Sequence, residues 1–292
     1  MAGDMTDLTL CLDSLDGLSV GDALGAHHFV PGASLDPLPD QCPWTDDTEM
    51  AVSIVEELLH HREIDQDRLA VAFARRFEPY RGYGGGAVVL LRAIREGGDW
   101  RELAPAAFGG KGSMGNGAAM RVAPLGAYYA GDSKRAALEA MRSAEITHAH
   151  PEGILGAAAV AVAAAEAGWS RLVGHRPEPF TFLESVIDYL VDSQVKDSME
   201  RALRLLGTDV AEAAYELGNG SRVLAQDTVP FALWVAATRI DDYPAAIRAC
   251  VAAGGDVDTT AAIAGGVVAA YTGRAGIPAA WLSSREPLPI AP

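Results

Sequence analysis

The chain has 292 residues, of which 49% are hydrophobic and 7% aromatic, and its formal net charge is −16. This excess of negative charge argues against a nucleic-acid groove and against binding to an anionic membrane. Cys11, Cys42 and Cys250 form no CxxC pair, so we expect buried thiols in a reducing compartment. No signal peptide is visible, and the longest apolar run (Ile154 to Ala165) is too short to span a bilayer. We therefore expect a cytoplasmic protein.

Helical periodicity extends along nearly the whole chain, without an alternating strand pattern or an internal repeat. We therefore predict an all-α fold in one compact domain over residues 1–292, with about a dozen helices. In the first helix, the i, i+4, i+7 spacing places Leu8, Leu12 and Asp22 on one inward stripe. A carboxylate that faces the core needs a hydrogen-bonding or charged partner, so we expect Asp22 to make a polar contact there.

The rest of the chain continues as helices joined by loops. Pro124 is expected to kink the helix in which it lies. The predicted helices are, in chain order, 50–59, 65–77, 87–96, 118–129, 133–146, 152–168, 182–191, 196–206, 209–217, 229–240, 243–253, 259–271 and 279–282.

The first polar motif, Trp44-Thr45-Asp46-Asp47-Thr48-Glu49-Met50, precedes an apolar helix. Thr45 or Asp46 can cap that helix, and Glu49 is favourable in its first turn. A cap needs only one such residue, however, and adjacent carboxylates repel each other unless a cation lies between them. The motif is therefore either a helix cap or half of a metal site.

A second acidic motif, Gly254-Gly255-Asp256-Val257-Asp258-Thr259-Thr260, also leads into a helix. Both motifs offer only carboxylate and hydroxyl oxygens, which select Mg²⁺, Mn²⁺ or Ca²⁺ over zinc or copper. Four carboxylates match the charge of two divalent cations and indicate a two-metal cluster. The candidate ligands are Thr45, Asp46, Asp47, Asp256, Asp258 and Thr259.

A third motif, Phe108 to Arg121, is rich in glycine and leads into a predicted helix. Its glycines allow successive N–H groups to turn toward one anion, and the helix start adds a positive dipole end. In an acidic protein, such a loop could hold a pyrophosphate without a basic patch. The spacing is not that of a Walker A loop, and no strand precedes it. His148 follows at a helix–loop–helix junction, either as a packed residue or as a ligand contact.

Taken together, these motifs resemble the ADP-ribosylglycohydrolases, the dinitrogenase-reductase-activating glycohydrolase type of ADP-ribosylhydrolase. The resemblance covers about residues 8–273, and Arg81-Gly82-Tyr83-Gly84 looks like the branch that cleaves serine-linked ADP-ribose. The family pattern implies an all-α fold with two Mg²⁺ or Mn²⁺ ions at the base of an ADP-ribose cleft. The segments that carry the resemblance are Gly21–Gly25, Trp44–Thr48, Gly112–Arg121, Thr147–His148 and Gly255–Thr259.

The resemblance also implies roles for individual residues. The six candidate ligands named above would hold the metals. Asn219 and Gly220 would contact the adenosine end, and the turn at Gly84 would let the chain approach the ligand. Phe108 and His148 would line the same cleft. The diphosphate and the distal ribose would be cradled by Ser113, Gly115, Asn116 and Gly117.

The implied reaction is metal-assisted hydrolysis of the glycosidic bond between ADP-ribose and a protein side chain or small acceptor, through an oxocarbenium-like transition state. Asp47, Asp256 or Asp258 would take the proton from the attacking water. Phe29 stands where many relatives carry a glutamate that faces the metals, and Met114 replaces an aromatic residue. The alternative is an ADP-ribose-binding module with little turnover. We expect a monomer, and the sequence leaves open which linkage is cleaved.

Overall fold

The computed structural model describes residues 2–30 and 33–290 and confirms the all-α fold. In these ranges the extended pairing is limited to two isolated bridges, Cys42–Arg285 and Gly115–Leu224. The fifteen α-helices of the described ranges are α1 (Ala2–His27), α2 (Asp46–His61), α3 (Gln66–Arg76), α4 (Gly85–Arg95), α5 (Trp100–Gly110), α6 (Ala123–Tyr128), α7 (Ser133–Glu145), α8 (Pro151–Leu172), α9 (Pro179–Ile187), α10 (Gln194–Arg204), α11 (Val210–Leu217), α12 (Ala225–Thr238), α13 (Tyr243–Ala253), α14 (Val257–Thr272) and α15 (Ala279–Ser284).

Helices α1 and α14 pack backbone against backbone at the centre of the fold. A Cβ atom added at Gly17, Gly21 or Gly25 would overlap the α14 backbone, at Gly265, Ala261 and the Val257–Asp258 segment respectively. Only glycine permits this close approach. Gly17, Gly21 and Gly25 are spaced four residues apart, which keeps the contact on one face of α1. The C-terminal end of α1 is thereby held against the first turn of α14, where the second acidic motif lies.

Helix α8 forms another part of the core. Its alanine-rich sequence is buried along most of its length, between α6, α7, α12 and α14. Among the described residues it is the helix long and apolar enough to cross a membrane, yet 83% of its apolar window is buried inside the protein. This degree of burial is typical of a core helix.

Several sequence predictions differ from the structure in detail. Pro124 lies in the first turn of α6, where proline fits, so it kinks no helix. Leu12 was expected to face inward but is 39% exposed, because the buried stripe of α1 follows other positions. Helix α5 was not predicted at all, since Pro105 and two glycines interrupt its pattern. Helix α14 begins at Val257, so Asp258 lies in its first turn and not in the preceding loop.

Candidate active site

Asp22 organises the start of α2. Its carboxylate is fully buried and accepts hydrogen bonds from the backbone N–H of Thr45 (2.9 Å) and of Thr48 (3.1 Å). The hydroxyls of the same two threonines also donate to it, at 2.8 and 2.5 Å. The polar partner predicted for Asp22 is therefore the first acidic motif itself. Because its oxygens are already taken by these donors, Asp22 holds the turn that presents Asp46 and Asp47.

Aspartates cap several helices of this protein, but those of the two acidic motifs do not. Five helices begin with an aspartate whose side chain accepts a backbone N–H of the first turn: Asp65, Asp99, Asp132, Asp209 and Asp242. Asp256 occupies the same position before α14 yet makes no capping hydrogen bond. At α2 the cap is Thr45, which accepts from the Asp47 N–H at 3.4 Å. The carboxylates of Asp46, Asp47, Asp256 and Asp258 therefore cap no helix.

The two acidic motifs face each other across about 210 residues of chain. Burial and then the negative charge of Asp22 raise the pKa of Asp46 to about 8. Burial and then Asp256 raise the pKa of Asp258 to about 8. Burial, followed by Asp22 and Asp258, also holds the pKa of Asp47 well above its usual range. Four carboxylates this close repel one another, and a cation would relieve that repulsion.

The side chains fit a hard divalent cation. Asp47 is only 2% exposed, and its Oδ2 has no hydrogen-bond partner. An orphaned buried carboxylate oxygen is costly, and a bound cation would satisfy it. In the described part of the chain, no three His, Cys, Asp or Glu side chains yet converge on one point. The ligand set would therefore combine carboxylates of both motifs with the hydroxyls of Thr45 and Thr259.

The loop from Pro79 to Gly84 lies beside the first acidic motif. Arg81 forms a bidentate ion pair with Glu286 (2.7 and 2.8 Å), donates to the Trp44 carbonyl and lies 3.5 Å above the centre of the Trp44 ring. Gly82 adopts φ +98°, and a Cβ there would lie 3.4 Å from Asp46 Oδ1. Gly84 borders open space with an ordinary φ of −59°. Sequence reasoning missed Glu286, which fixes this loop from the C-terminal end of the chain.

The glycine-rich loop joins the acidic motifs through Asn116. Its Nδ2 donates to Asp256 Oδ2 at 2.7 Å and to Thr228 Oγ1 at 3.0 Å. Gly115 pairs with Leu224 in an isolated bridge, and its N–H donates to Ser113 Oγ at 3.2 Å. The structure thus brings Asn116 of the loop against the second acidic motif, whereas Ser113 and Gly115 bond to each other.

His148 lies directly behind this loop. Its ring is 8% exposed, and a Cβ added at Gly117 would lie 3.1 Å from His148 Nε2. Burial, followed by the charge of Arg121, lowers the pKa of His148 to about 3, so the ring is neutral. Gly117 therefore lets the loop backbone approach an uncharged imidazole.

Phe108 occupies a strained position at the end of α5. It adopts φ +53°, which is unusual for a bulky residue, and its ring is 64% exposed beside Gly86. An exposed aromatic ring held in this conformation is suited to stacking on a ligand. Phe29, the departure from the family pattern, is also exposed (56%), four residues beyond Gly25.

The Asn219–Gly220 turn supports the second acidic motif. The Asn219 carbonyl accepts the Asp256 N–H at 3.0 Å, and its side-chain amide donates to the Ala253 carbonyl at 2.9 Å. Gly220 has φ +83° and packs on the Asp256 side chain. A cavity of about 840 Å³ adjoins this turn but is not lined by the four carboxylates. The expected contact of this turn with adenosine stays a prediction.

Comparison with known proteins identifies relatives along nearly the whole chain. A family model described as ADP-ribosylglycohydrolase matches residues 6–288. The chain is 31% identical to ADP-ribosylhydrolase ARH3 of Gallus gallus, over 93% of this chain and 88% of the relative. It is also 31% identical to ADP-ribosylhydrolase ARH3 of Homo sapiens, over 98% of this chain and 84% of the relative. A solved structure of an ADP-ribosylglycohydrolase-related protein complex has a TM-score of 0.69 at 26% identity, covering 97% of this chain and 94% of that one.

Sequence, fold and motif order lead to the same assignment. The match covers both acidic motifs and the glycine-rich loop between them, so it does not rest on one local pattern. The family predicted from the motifs is therefore confirmed. The chain belongs to the ADP-ribosylglycohydrolase family, whose members are hydrolases of glycosidic bonds to ADP-ribose.

Proposed function

We propose that this chain releases ADP-ribose from an ADP-ribosylated protein side chain or small acceptor with the help of two divalent cations, Mg²⁺ or Mn²⁺. The observation that carries the proposal is the pair of facing acidic motifs, whose carboxylates cap no helix and include the orphaned Asp47 Oδ2. The side chains that would hold the cations are Thr45, Asp46, Asp47, Asp256, Asp258 and Thr259. When bound, the cations supply charge stabilisation and orient the distal ribose.

The protein's own groups around the acidic motifs would position the rest of the ligand. In the loop from Ser113 to Gly117, the N–H groups of Gly115 and Asn116 already donate to protein oxygens, so the other backbone N–H groups of the loop would face the diphosphate. Asn116 holds Asp256 in place through its 2.7 Å hydrogen bond. Phe108 offers an exposed ring for stacking on the adenine. A ligand held at its adenine and at its diphosphate leaves the distal ribose, which carries the glycosidic bond, to be oriented by the acidic motifs.

Asp258 is the carboxylate best placed to take the proton from the attacking water. Asp47 is almost completely buried, and Asp256 is engaged by Asn116. Asp258 is half-buried, accepts the neighbouring Thr259 N–H at 2.9 Å and shares a side-chain hydrogen bond with Asp256. A general base must be reachable by the reacting water. This argument favours Asp258 among the three predicted candidates.

We further propose that the ADP-ribose of the substrate is linked to a serine side chain. The support is the Arg81–Gly84 segment, which resembles the serine-linked branch and places Gly82 beside Asp46. Phe29 is the counter-indication, because it replaces a family glutamate with a side chain that can neither ligate a metal nor accept a proton. The Phe29→Glu variant restores that carboxylate, so comparing its rate of ADP-ribose release with that of the wild type tests how much the missing carboxylate limits the reaction.

A substrate panel tests the proposal. Serine-linked, arginine-linked, O-acetylated and polymeric ADP-ribose are each incubated with Mg²⁺, with Mn²⁺ and with a chelator, and released ADP-ribose is measured. We expect release from the serine-linked substrate that the chelator abolishes and that Asp258→Asn removes. Tight calorimetric binding of ADP-ribose without release from any substrate would instead establish the binding module. Cytoplasmic location and a monomeric state stay predictions.

A further inference from the structure

Arg121 is a fully buried cation at the end of the glycine-rich motif. Its Nη2 donates to the Ser143 carbonyl at 2.7 Å and to Thr147 Oγ1 at 3.0 Å. Its guanidinium also lies 4.4 Å above the Phe73 ring. Within residues 2–30 and 33–290, no carboxylate forms an ion pair with it. Burying an arginine without a carboxylate is costly, so a specific role at this position is expected.

The hydroxyl of Thr147 connects Arg121 to His148. Thr147 Oγ1 accepts from Arg121 and lies 2.8 Å from His148 Nδ1. A threonine hydroxyl has one proton to donate, and in the described part of the chain Nδ1 is its one hydrogen-bond acceptor. The Thr147 hydroxyl satisfies both of its contacts when its proton points at Nδ1, whereas the opposite direction would leave that proton without an acceptor. This direction requires Nδ1 to be unprotonated and places the ring proton of the neutral imidazole on Nε2.

The Nε2–H group then faces the glycine-rich loop. A Cβ added at Gly115 or Gly117 would lie 3.4 or 3.1 Å from Nε2, so this nitrogen borders the loop on its inner side. None of the described residues accepts a hydrogen bond from it, although the ring is nine-tenths buried. A donor that borders the loop and has no acceptor among the described residues is suited to a ligand oxygen. The other tautomer would present a lone pair, which repels an anion.

We propose that Arg121 is a positioning residue that acts through Thr147 to hold His148 as the Nε2–H tautomer, aimed at an anionic oxygen bound by the glycine-rich loop. The assignment of that oxygen to a diphosphate rests on the proposed function. The assignment of the His148 tautomer is independent of that function. Arg121 touches no substrate in this arrangement; its guanidinium fixes which way the Thr147 hydroxyl donates.

The test measures the tautomer directly. In protein labelled with ¹⁵N-histidine, long-range proton–nitrogen spectra distinguish a protonated from an unprotonated ring nitrogen, and loss of signals in His148→Gln assigns the ring. We expect protonated Nε2 and unprotonated Nδ1 in the wild type at neutral pH. A wild-type ring protonated at Nδ1 would overturn the proposal, whether or not the protein hydrolyses any substrate.

Two threonine variants separate the relay from simple packing. Thr147→Val removes the hydroxyl, and we expect signals of the Nδ1–H tautomer to appear and the Kd for ADP-ribose to rise about tenfold. Thr147→Ser keeps the hydroxyl, so we expect its ring signals and its Kd for ADP-ribose to be close to those of the wild type. Thr272→Val, which removes a hydroxyl bonded to the Val268 carbonyl in α14, controls for a general effect of losing a threonine hydroxyl.

The arginine is tested in the same way. Arg121→Lys retains a buried cation but not the two-donor Nη2 geometry, so we expect a mixture of tautomers with the fold preserved by circular dichroism. If Arg121→Lys fails to fold, the comparison of Thr147→Val with Thr147→Ser still decides the proposal. Identical ring signals and identical ADP-ribose affinities in those two variants would contradict it.

Discussion

The side-chain amide of Asn116 donates a 2.7 Å hydrogen bond to the carboxylate of Asp256, 140 residues later in the chain. This bond connects the loop proposed to hold the diphosphate with the motif proposed to hold the cations. Asp256 directly precedes α14, yet its side chain accepts this bond and makes no capping hydrogen bond to the helix.

The Asn116–Asp256 bond should be required for activity. Asn116→Ala frees the Asp256 carboxylate to rotate, and we expect a loss of about 10- to 100-fold in metal affinity or turnover, as for other residues that orient a ligand carboxylate. Calorimetric titration with Mn²⁺ measures the first effect. Thr228→Val is the matched control, because it removes the other acceptor of Asn116 Nδ2 and leaves Asp256 engaged. Equal Mn²⁺ affinity and equal turnover in Asn116→Ala and wild type would refute the prediction.

Removing one carboxylate of the cluster should have opposite effects on activity and on stability. In Asp47→Asn we expect turnover to fall on the order of a thousandfold. In chelator, however, the variant should melt at a higher temperature than the wild type, because asparagine avoids the cost of burying a carboxylate among other carboxylates, whether that group stays charged or takes up a proton. Differential scanning fluorimetry with chelator and with Mg²⁺ separates the two effects.

Asp209→Asn controls for the amide substitution itself, since Asp209 caps α11 and asparagine caps a helix equally well. Its melting temperature should match that of the wild type under both conditions. A lower melting temperature for Asp47→Asn in chelator would show that the carboxylates are not in repulsion without a cation.

Without a cation, the acidic cluster should make stability fall as pH rises. The pKa of Asp46 and that of Asp258 are raised from 3.8 to about 8, by burial first and by neighbouring carboxylates second. The folded protein therefore binds more protons than the unfolded chain across this interval. Their stabilising contribution is fully present below about pH 4 and is lost as pH rises toward about 8.

Thermal melts in chelator between these pH values check this dependence. Asp258→Asn should flatten the profile relative to the wild type, whereas groups outside the cluster affect both proteins alike. Because a cation requires ionised carboxylates, the gain in melting temperature on adding Mg²⁺ should increase with pH. A wild-type profile parallel to that of Asp258→Asn would contradict the prediction.

Phe108 should contribute to ligand binding and little to folding. Its ring is 64% exposed and its backbone is strained, so Phe108→Ala should leave the melting temperature almost unchanged. Loss of a stacking surface should weaken ADP-ribose binding by about tenfold. Phe180→Ala, at a 51% exposed phenylalanine on α9, is the matched control for removing an exposed ring. Unchanged ADP-ribose affinity in Phe108→Ala would exclude stacking on this ring.

Some features of the protein were determined by short stretches of sequence. Hydrophobic periodicity predicted the all-α fold and most helices, and capping chemistry placed the start of α2 at Thr45 or Asp46, of which the structure has Thr45. The donor types of the two acidic motifs predicted oxygen ligands. These inferences need only residues within a few turns of each other, because helix formation and capping are short-range interactions.

Only the tertiary structure decided how these motifs meet. Nothing in local sequence joins Asn116 to Asp256, Arg81 to Glu286, or Arg121 through Thr147 to His148. Local sequence also could not show that Asp22 holds the first acidic motif, because its partners Thr45 and Thr48 lie on another helix start, more than 20 residues later in the chain. Such contacts follow from the path of the whole chain and from close packing in its core, which no periodic pattern specifies.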